Sequence, residues 1–210
     1  MLHVILIILL ISLFYLSIAN RMTTYINVLA LQGVLLFFAA FFELKSVTTL
    51  NLILVLLETI VFKAVAVPAF LKYVLKRNHI TREAEPFVPN FVSLIITTAI
   101  IGITIILSNY MEEASLDKMF FVVALSMLFS GLYIIASRRK IITHVMGYVI
   151  IENGVFILSL AVGNEMPMLL NLGIMLDIFA SVLILGIFLN KIGDVFKDID
   201  VDQLTSLKDD

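Results

Sequence analysis

THVMGYVIIENGVFILSLAV, residues 143–162, sets an ionisable acid, Glu152, near the midpoint of an apolar run long enough to cross a bilayer. A central acid costs about 2.5 to 3.5 kcal/mol on insertion, so such a group faces protein or a water-filled cavity and is a functional candidate. Working outward, the next apolar segment, Met168 to Leu189, carries Asp177, and an earlier one, Leu50 to Leu71, carries Glu58 and Lys63. These are the ionisable groups expected at membrane depth.

Composition supports the same class. The 210 residues are 61% apolar, with a mean hydropathy of +1.12, well above the usual 45–50% apolar of soluble domains. An all-α, polytopic membrane protein is expected. The net charge of -2 says little about partners, and nothing points to nucleic acid. There is no cysteine, and His3, His79 and His144 are far apart. Iron–sulfur ligation needs thiolates and structural zinc needs closely spaced Cys or His, so no metal and no cofactor is expected on this chain. No Gly-rich phosphate loop, nucleophile elbow or HExxH helix is present either. Any redox centre therefore belongs to another chain, and no catalytic residue is assigned here.

In chain order, Met1 to Ala19 reads as a retained first helix, because it lacks a basic leader and a small-residue cleavage site. Thr24 to Phe42 forms the second segment and Leu50 to Leu71 the third. Lys72 to Pro89 is the longest polar connection, followed by a fourth segment, Asn90 to Ser108, and an acidic turn with Glu112, Glu113 and Asp117. Met119 to Ser137 is the fifth segment. The basic turn Arg138, Arg139, Lys140 leads into the sixth, and Gly163 to Pro167 leads into the seventh. The expected units are residues 1–75, a three-helix unit; 76–118, a basic connection and the fourth helix; 119–190, a second three-helix unit; and 191–210, a charged cytoplasmic tail.

The positive-inside rule tests this count. With the N-terminus outside, the inner connections hold Arg21, Lys72, Lys76, Arg77, Arg82, Arg138, Arg139, Lys140, Lys191, Lys197 and Lys208, whereas the outer turns hold only Lys45 and Lys118. Seven helices, N-out and C-in, are expected. Segments one to three then run parallel to five to seven, as in a parallel repeat. Leu31-Gln32-Gly33-Val34-Leu35-Leu36-Phe37 resembles Glu152-Asn153-Gly154-Val155-Phe156-Ile157-Leu158. A true repeat and the general likeness of apolar helices explain this equally well.

The chemistry follows from depth. Glu152 lies about ten residues before the turn between segments six and seven and Asp177 about ten beyond it, so each sits roughly 15 Å below the outer surface. Two carboxylates at one depth on neighbouring helices can pass a proton between them through water. Either acid can instead serve as hydrogen-bonded packing glue. Lys63 pairs with a carboxylate or loses its proton. Glu58, five residues earlier, does not stack on it, so the partner comes from another helix or chain. Pro68 cannot donate a hydrogen bond to the preceding turn, and a local kink there opens space for water. Gly147 and Gly154 share a face that reads as close packing, and Asn153 stands beside Glu152 in a position to orient it.

These residues resemble a known family. From Met119 onward, three segments with a basic turn after the first and an acid in each of the other two are similar to subunit K of respiratory complex I and to component C of Mrp-type sodium/proton antiporters. The longer chain, with KAVAVPAFLKYVLKR at residues 63–77 and DIDVDQLTSLKDD at residues 198–210, resembles component E of hydrogenase-4 and formate hydrogenlyase membrane complexes. The resemblance implies a non-redox membrane-arm subunit, not catalytic alone, in a prokaryotic inner membrane. It would be partnered by antiporter-like and hydrogenase-like or quinone-module subunits and would carry protons or sodium ions. Glu152 then takes the place of the family's middle-helix glutamate and Asp177 that of the third-helix glutamate, one methylene shorter. Glu152, Asp177, Lys63 and Glu58 are the candidate proton-transfer residues. A stand-alone secondary transporter is the alternative, and a purely structural scaffold a third reading.

Overall fold

The first helix, α1 (Leu2–Ile18), is apolar around its whole circumference, the pattern of a helix with no aqueous face. One stripe, Leu6, Leu9, Ser12, Leu13 and Leu16, is buried against protein, while Val4, Ile7, Ile11 and Tyr15 point outward. Ala19 turns to extended backbone. The carbonyl of Arg21 then accepts the N–H groups of Thr24 and Tyr25 at 3.0 and 3.4 Å, which starts α2 (Met22–Glu43). The Tyr25 hydroxyl closes this hairpin by donating to the Leu16 carbonyl at 3.0 Å. The computed structural model describes residues 1–43, 53, 55–57, 59–77, 87–110 and 117–161. Every secondary-structure element among them is a helix.

The third helical stretch changes pitch. Thr59 donates to the carbonyls of Val55 and Leu56 at 2.7 and 3.2 Å, a back-bonded pattern that bends helices. From Thr59 to Ala66 the backbone is a π-helix, and it returns to α geometry in α3 (Val67–Arg77). Pro68 stands at this junction. Its ring crowds the previous turn and it has no N–H to give, so the regular i→i−4 ladder cannot run through it. The kink read from Pro68 is therefore a whole widened turn. The helix also continues six residues past the expected end at Leu71. Val74 and Leu75 are buried while Lys72, Tyr73 and Lys76 are exposed, so this last stretch keeps an apolar face in protein with its charges outside.

Three further helices follow: α4 (Asn90–Tyr110), α5 (Lys118–Ser137) and α6 (Ile141–Ala161). Asp117 caps α5 by accepting from the Met119 and Phe120 N–H groups. Its own N–H donates to the Ala161 carbonyl at 3.1 Å, tying the start of α5 to the end of α6. At the opposite end, the Arg138 guanidinium reaches the Ser17 carbonyl at 3.0 Å. The first and third basic connections, at Arg21 and at Arg138–Lys140, thus share one face of the bundle. Arg138 is only 1% exposed. It lies at the C-terminal end of α1, where the helix dipole favours a cation, so this charge, counted above only for orientation, takes part in packing.

α4 is held to α5 by hydroxyls. Tyr133 donates to Ser93 at 2.8 Å, and Thr104 and Ser126 lie 2.8 Å apart. Ser93, Thr97, Thr104 and Ser108 of α4 face protein, while Phe91, Ile95, Ile103, Ile105 and Ile106 face outward, the inverse of a soluble helix and suited to lipid. α2, α4, α5 and α6 are each long and apolar enough to cross a membrane. α1 is shorter at 17 residues, and the expected seventh segment lies outside the described residues.

α5 and α6 pack at backbone distance through glycine. A Cβ on Gly131 would stand 2.8 Å from the Gly147 carbonyl oxygen and 2.6 Å from Ile151 Cγ1, and one on Gly154 would stand 3.0 Å from the Ala124 carbonyl oxygen. Gly147 and Gly154 are packing positions. Gly102, by contrast, has open space around its missing Cβ. Gly131→Ala is expected to destabilise the detergent-solubilised protein by about 1–3 kcal/mol, the usual cost of overpacking. Gly102→Ala should be neutral or slightly stabilising, and thermal unfolding of the two variants side by side checks the contrast.

Candidate functional site

The polar groups at the middle of the helices converge. Glu152 lies near the centre of α6, about 16 Å along the axis from Ile141. It is 6% exposed and its Oε1 forms an ion pair with Lys63 Nζ, itself buried, on the π-helical turn. Phe156, one turn further along α6, places its ring 4.6 Å from the same ammonium. Carboxylate and ring, four residues apart, stand on one face of the helix. Lys63 is thus received by a charge and by an aromatic face. A cation–π contact of a desolvated ammonium contributes about 2 kcal/mol.

A second polar chain runs beside the first. Asn153 Nδ2 donates to Gln32 Oε1 at 3.2 Å, Gln32 Nε2 donates to Ser12 Oγ at 2.8 Å, and Ser12 Oγ donates to the Leu9 carbonyl at 2.6 Å. Three helices, α6, α2 and α1, are joined at one level. Successive residues on a helix point about 100 degrees apart, so Glu152 turns to the π-helix while Asn153 turns to α2. Asn153 Oδ1 is buried and has no hydrogen-bond partner among the described residues.

α2 also controls how close the π-helix comes. A Cβ on Gly33 would lie 2.6 Å from both the Lys63 carbonyl carbon and the Ala64 nitrogen. Only glycine fits where these two backbones meet.

Of the residues singled out in the sequence, Lys63 and Glu152 are brought together, and the partner of Lys63 does come from another helix. Glu58 and Asp177 lie outside the described residues. Sequence reasoning did not identify Phe156, Gln32 or Ser12 as part of the site. The signal for Phe156 was its i+4 spacing from Glu152, and that for Gln32 was a carboxamide at the centre of an apolar helix.

A buried pair of this kind is costly to break from one side, because the remaining charge has no partner. Glu152→Leu and Lys63→Met are each expected to lower stability by about 3–5 kcal/mol, and the double variant should recover most of that loss. Denaturation of the four proteins in one detergent gives the coupling directly. Additive losses would show that the two side chains do not depend on each other.

Comparison with known proteins adds a second line of observation. Residues 119–209 match the family model described as NADH-ubiquinone/plastoquinone oxidoreductase chain 4L. Hydrogenase-4 component E of Escherichia coli is 33% identical over 86 residues, 41% of this chain and 40% of that protein. The same-named protein of Shigella flexneri matches equally. An uncharacterized protein of Mycobacterium tuberculosis is 25% identical over 132 residues, 61% of this chain and 59% of its own length. The matches therefore span about half the length of these curated relatives. No solved structure matches significantly. The chain is a membrane protein with a stretch of 86 residues homologous to hydrogenase-4 component E, and its residues 119–209 are similar to the chain 4L family.

Proposed function

We propose that the chain is a non-redox membrane-arm subunit of an ion-translocating complex of the hydrogenase-4 or formate hydrogenlyase type, related to respiratory complex I. The observation that carries the reading is the Lys63–Glu152 pair, buried at mid-helix depth between the two halves of the chain. The relatives name the kind of assembly in which such a pair has a use. In this reading the chain spans the prokaryotic cell membrane seven times, N-out and C-in, beside antiporter-like and hydrogenase-like or quinone-module subunits.

The chemistry follows from the pair. While the pair is closed, the ammonium neutralises the carboxylate and holds it away from other cations. A proton that reaches Glu152 removes the carboxylate charge and releases Lys63, and loss of that proton restores the pair. Glu152 is the principal carrier and Asp177 the second. Lys63, with Glu58, is the charge that decides when Glu152 exchanges. The π-helical turn supports such a step, since π-bulges often mark functional positions in helices.

The test uses the whole complex purified through a tag on this chain and reconstituted in vesicles. Large antiporter-like subunits and a nickel–iron or iron–sulfur module should copurify. Glu152→Gln keeps the shape and one acceptor for Lys63, so the complex should assemble in normal amount while ions moved per electron fall about tenfold or more, the scale of losing a positioned proton carrier. Recovery of the chain alone would overturn the assembly. An unchanged ion-to-electron ratio would remove Glu152 from the path.

A further inference from the structure

We propose that the Gln32-Gly33 step of α2 is the positioning element of the Lys63–Glu152 pair, a claim that rests on the reading of that pair as the ion-carrying site. Two adjacent residues of one helix act on the two partners. Gly33 lies against the backbone of Lys63 and Ala64, and so sets where the lysine stem begins. Gln32, fully buried, uses both ends of its carboxamide, accepting from Asn153 and donating to Ser12. Asn153 is the residue peptide-bonded to Glu152. Any rotation of α6 that swings Glu152 away from Lys63 must also pull Asn153 from Gln32.

The burial pattern gives independent support. Each residue that α2 buries has a buried counterpart in α6 at one constant spacing: Met22 with Thr143, Leu29 with Ile150, Gln32 with Asn153, Gly33 with Gly154, and so on to Ala40 with Ala161. The spacing is the 121 residues that separate Gln32 from Asn153, and it also separates Ser17 from Arg138, a second hydrogen-bonded pair between the halves, whereas Lys63 and Glu152 stand 89 residues apart. Equivalent points of two like hairpins are thus bonded to each other. The likeness fails at the position that matters: Leu31 is 46% exposed, whereas its counterpart Glu152 is 6% exposed. The neutral carboxamide step is common to both halves and the acid belongs to one. That is the arrangement of a shared joint from which the acid is aimed.

The chain has no cysteine, which permits a direct reading of position in the assembled complex. Lys63→Cys with Glu152→Cys is bridged by a short bifunctional thiol reagent, with and without Gln32→Leu. The bridging yield is expected to fall about threefold or more with Gln32→Leu, the scale of one interhelical hydrogen bond in a membrane. The exchange Gln32→Asn with Asn153→Gln, which keeps the combined side-chain length, should restore it. Unchanged bridging in Gln32→Leu overturns the positioning role whatever happens to transport. In the complex without the two introduced cysteines, Gln32→Leu should likewise lower ions moved per electron by about threefold in each assembled complex, and the exchange should recover the ratio. A purely structural Gln32 would lower the amount of complex and leave that ratio alone, which also overturns the proposal. Glu152→Gln run beside it separates the two claims: if it leaves the ratio intact while Gln32→Leu still lowers bridging, the carrier reading falls and the positional one stands.

Discussion

The bundle is organised by the need to keep two opposite charges together where there is little water to replace either partner. Taking an ammonium and a carboxylate out of water costs several kcal/mol each, and their attraction repays this only in good geometry. Lys63 and Glu152 are 89 residues apart in sequence, so that geometry is made by helix packing. α6 is fixed by glycine contacts with α5, α2 lies against α6, and the π-helix lies against α2. The first and last of these are close approaches of backbones and the middle one is tied by the Gln32–Asn153 hydrogen bond, which leaves little freedom for the pair to drift. The packing is specified by small residues, and the charges use the positions it provides.

Much of this was legible in the chain, because membrane helices declare themselves by length and hydropathy. The boundaries of α5 follow from Asp117, a capping acid, and from the basic turn after Ser137. Glu152 and Lys63 stood out because each is out of place in an apolar run. That they meet was not legible, since no local rule couples residues on segments three and six. The widened turn was half legible: Pro68 forbids a regular ladder, but whether a helix answers with a bend, a break or a π-turn depends on its neighbours. The end of the third helix was misplaced for a simpler reason. Lys72 and Lys76 read as loop residues by charge, yet Val74 and Leu75 between them are buried on the same helix.

The basic turn illustrates how one residue can carry two arguments. Arg138 was counted as an inner-face charge, and its bond to the Ser17 carbonyl places it at the same end of the bundle as Arg21. It is also buried, beside the Tyr25 ring at 5.8 Å and at the carbonyl end of α1. A charge that orients a chain during insertion is exposed to the aqueous phase at that moment, and it is free to be used for packing afterwards. Counting charges gives an expected side. Only the fold gives the contact.

The likeness between α2 and α6 bears on where a charge can be placed. Two hairpins that bury the same positions offer equivalent places near mid-depth, yet the place beside Gln32 is Leu31, half exposed, and the place beside Asn153 is Glu152. An acid at Leu31 would face outward, where lipid makes an unpaired carboxylate expensive. At position 152 the same helical register faces Lys63, because the π-turn presses against α2 on that side. The partner therefore determines which copy can hold the acid. Among the described residues, the polar bonds that cross between equivalent positions involve a carboxamide pair and an arginine with a backbone carbonyl, none of which has to change protonation to hold. On the proposed role of Glu152, a joint built from such groups would stay closed while the acid beside it gains and loses a proton, and that separation of the fixed from the exchanging groups would let one buried pair open without loosening the bundle.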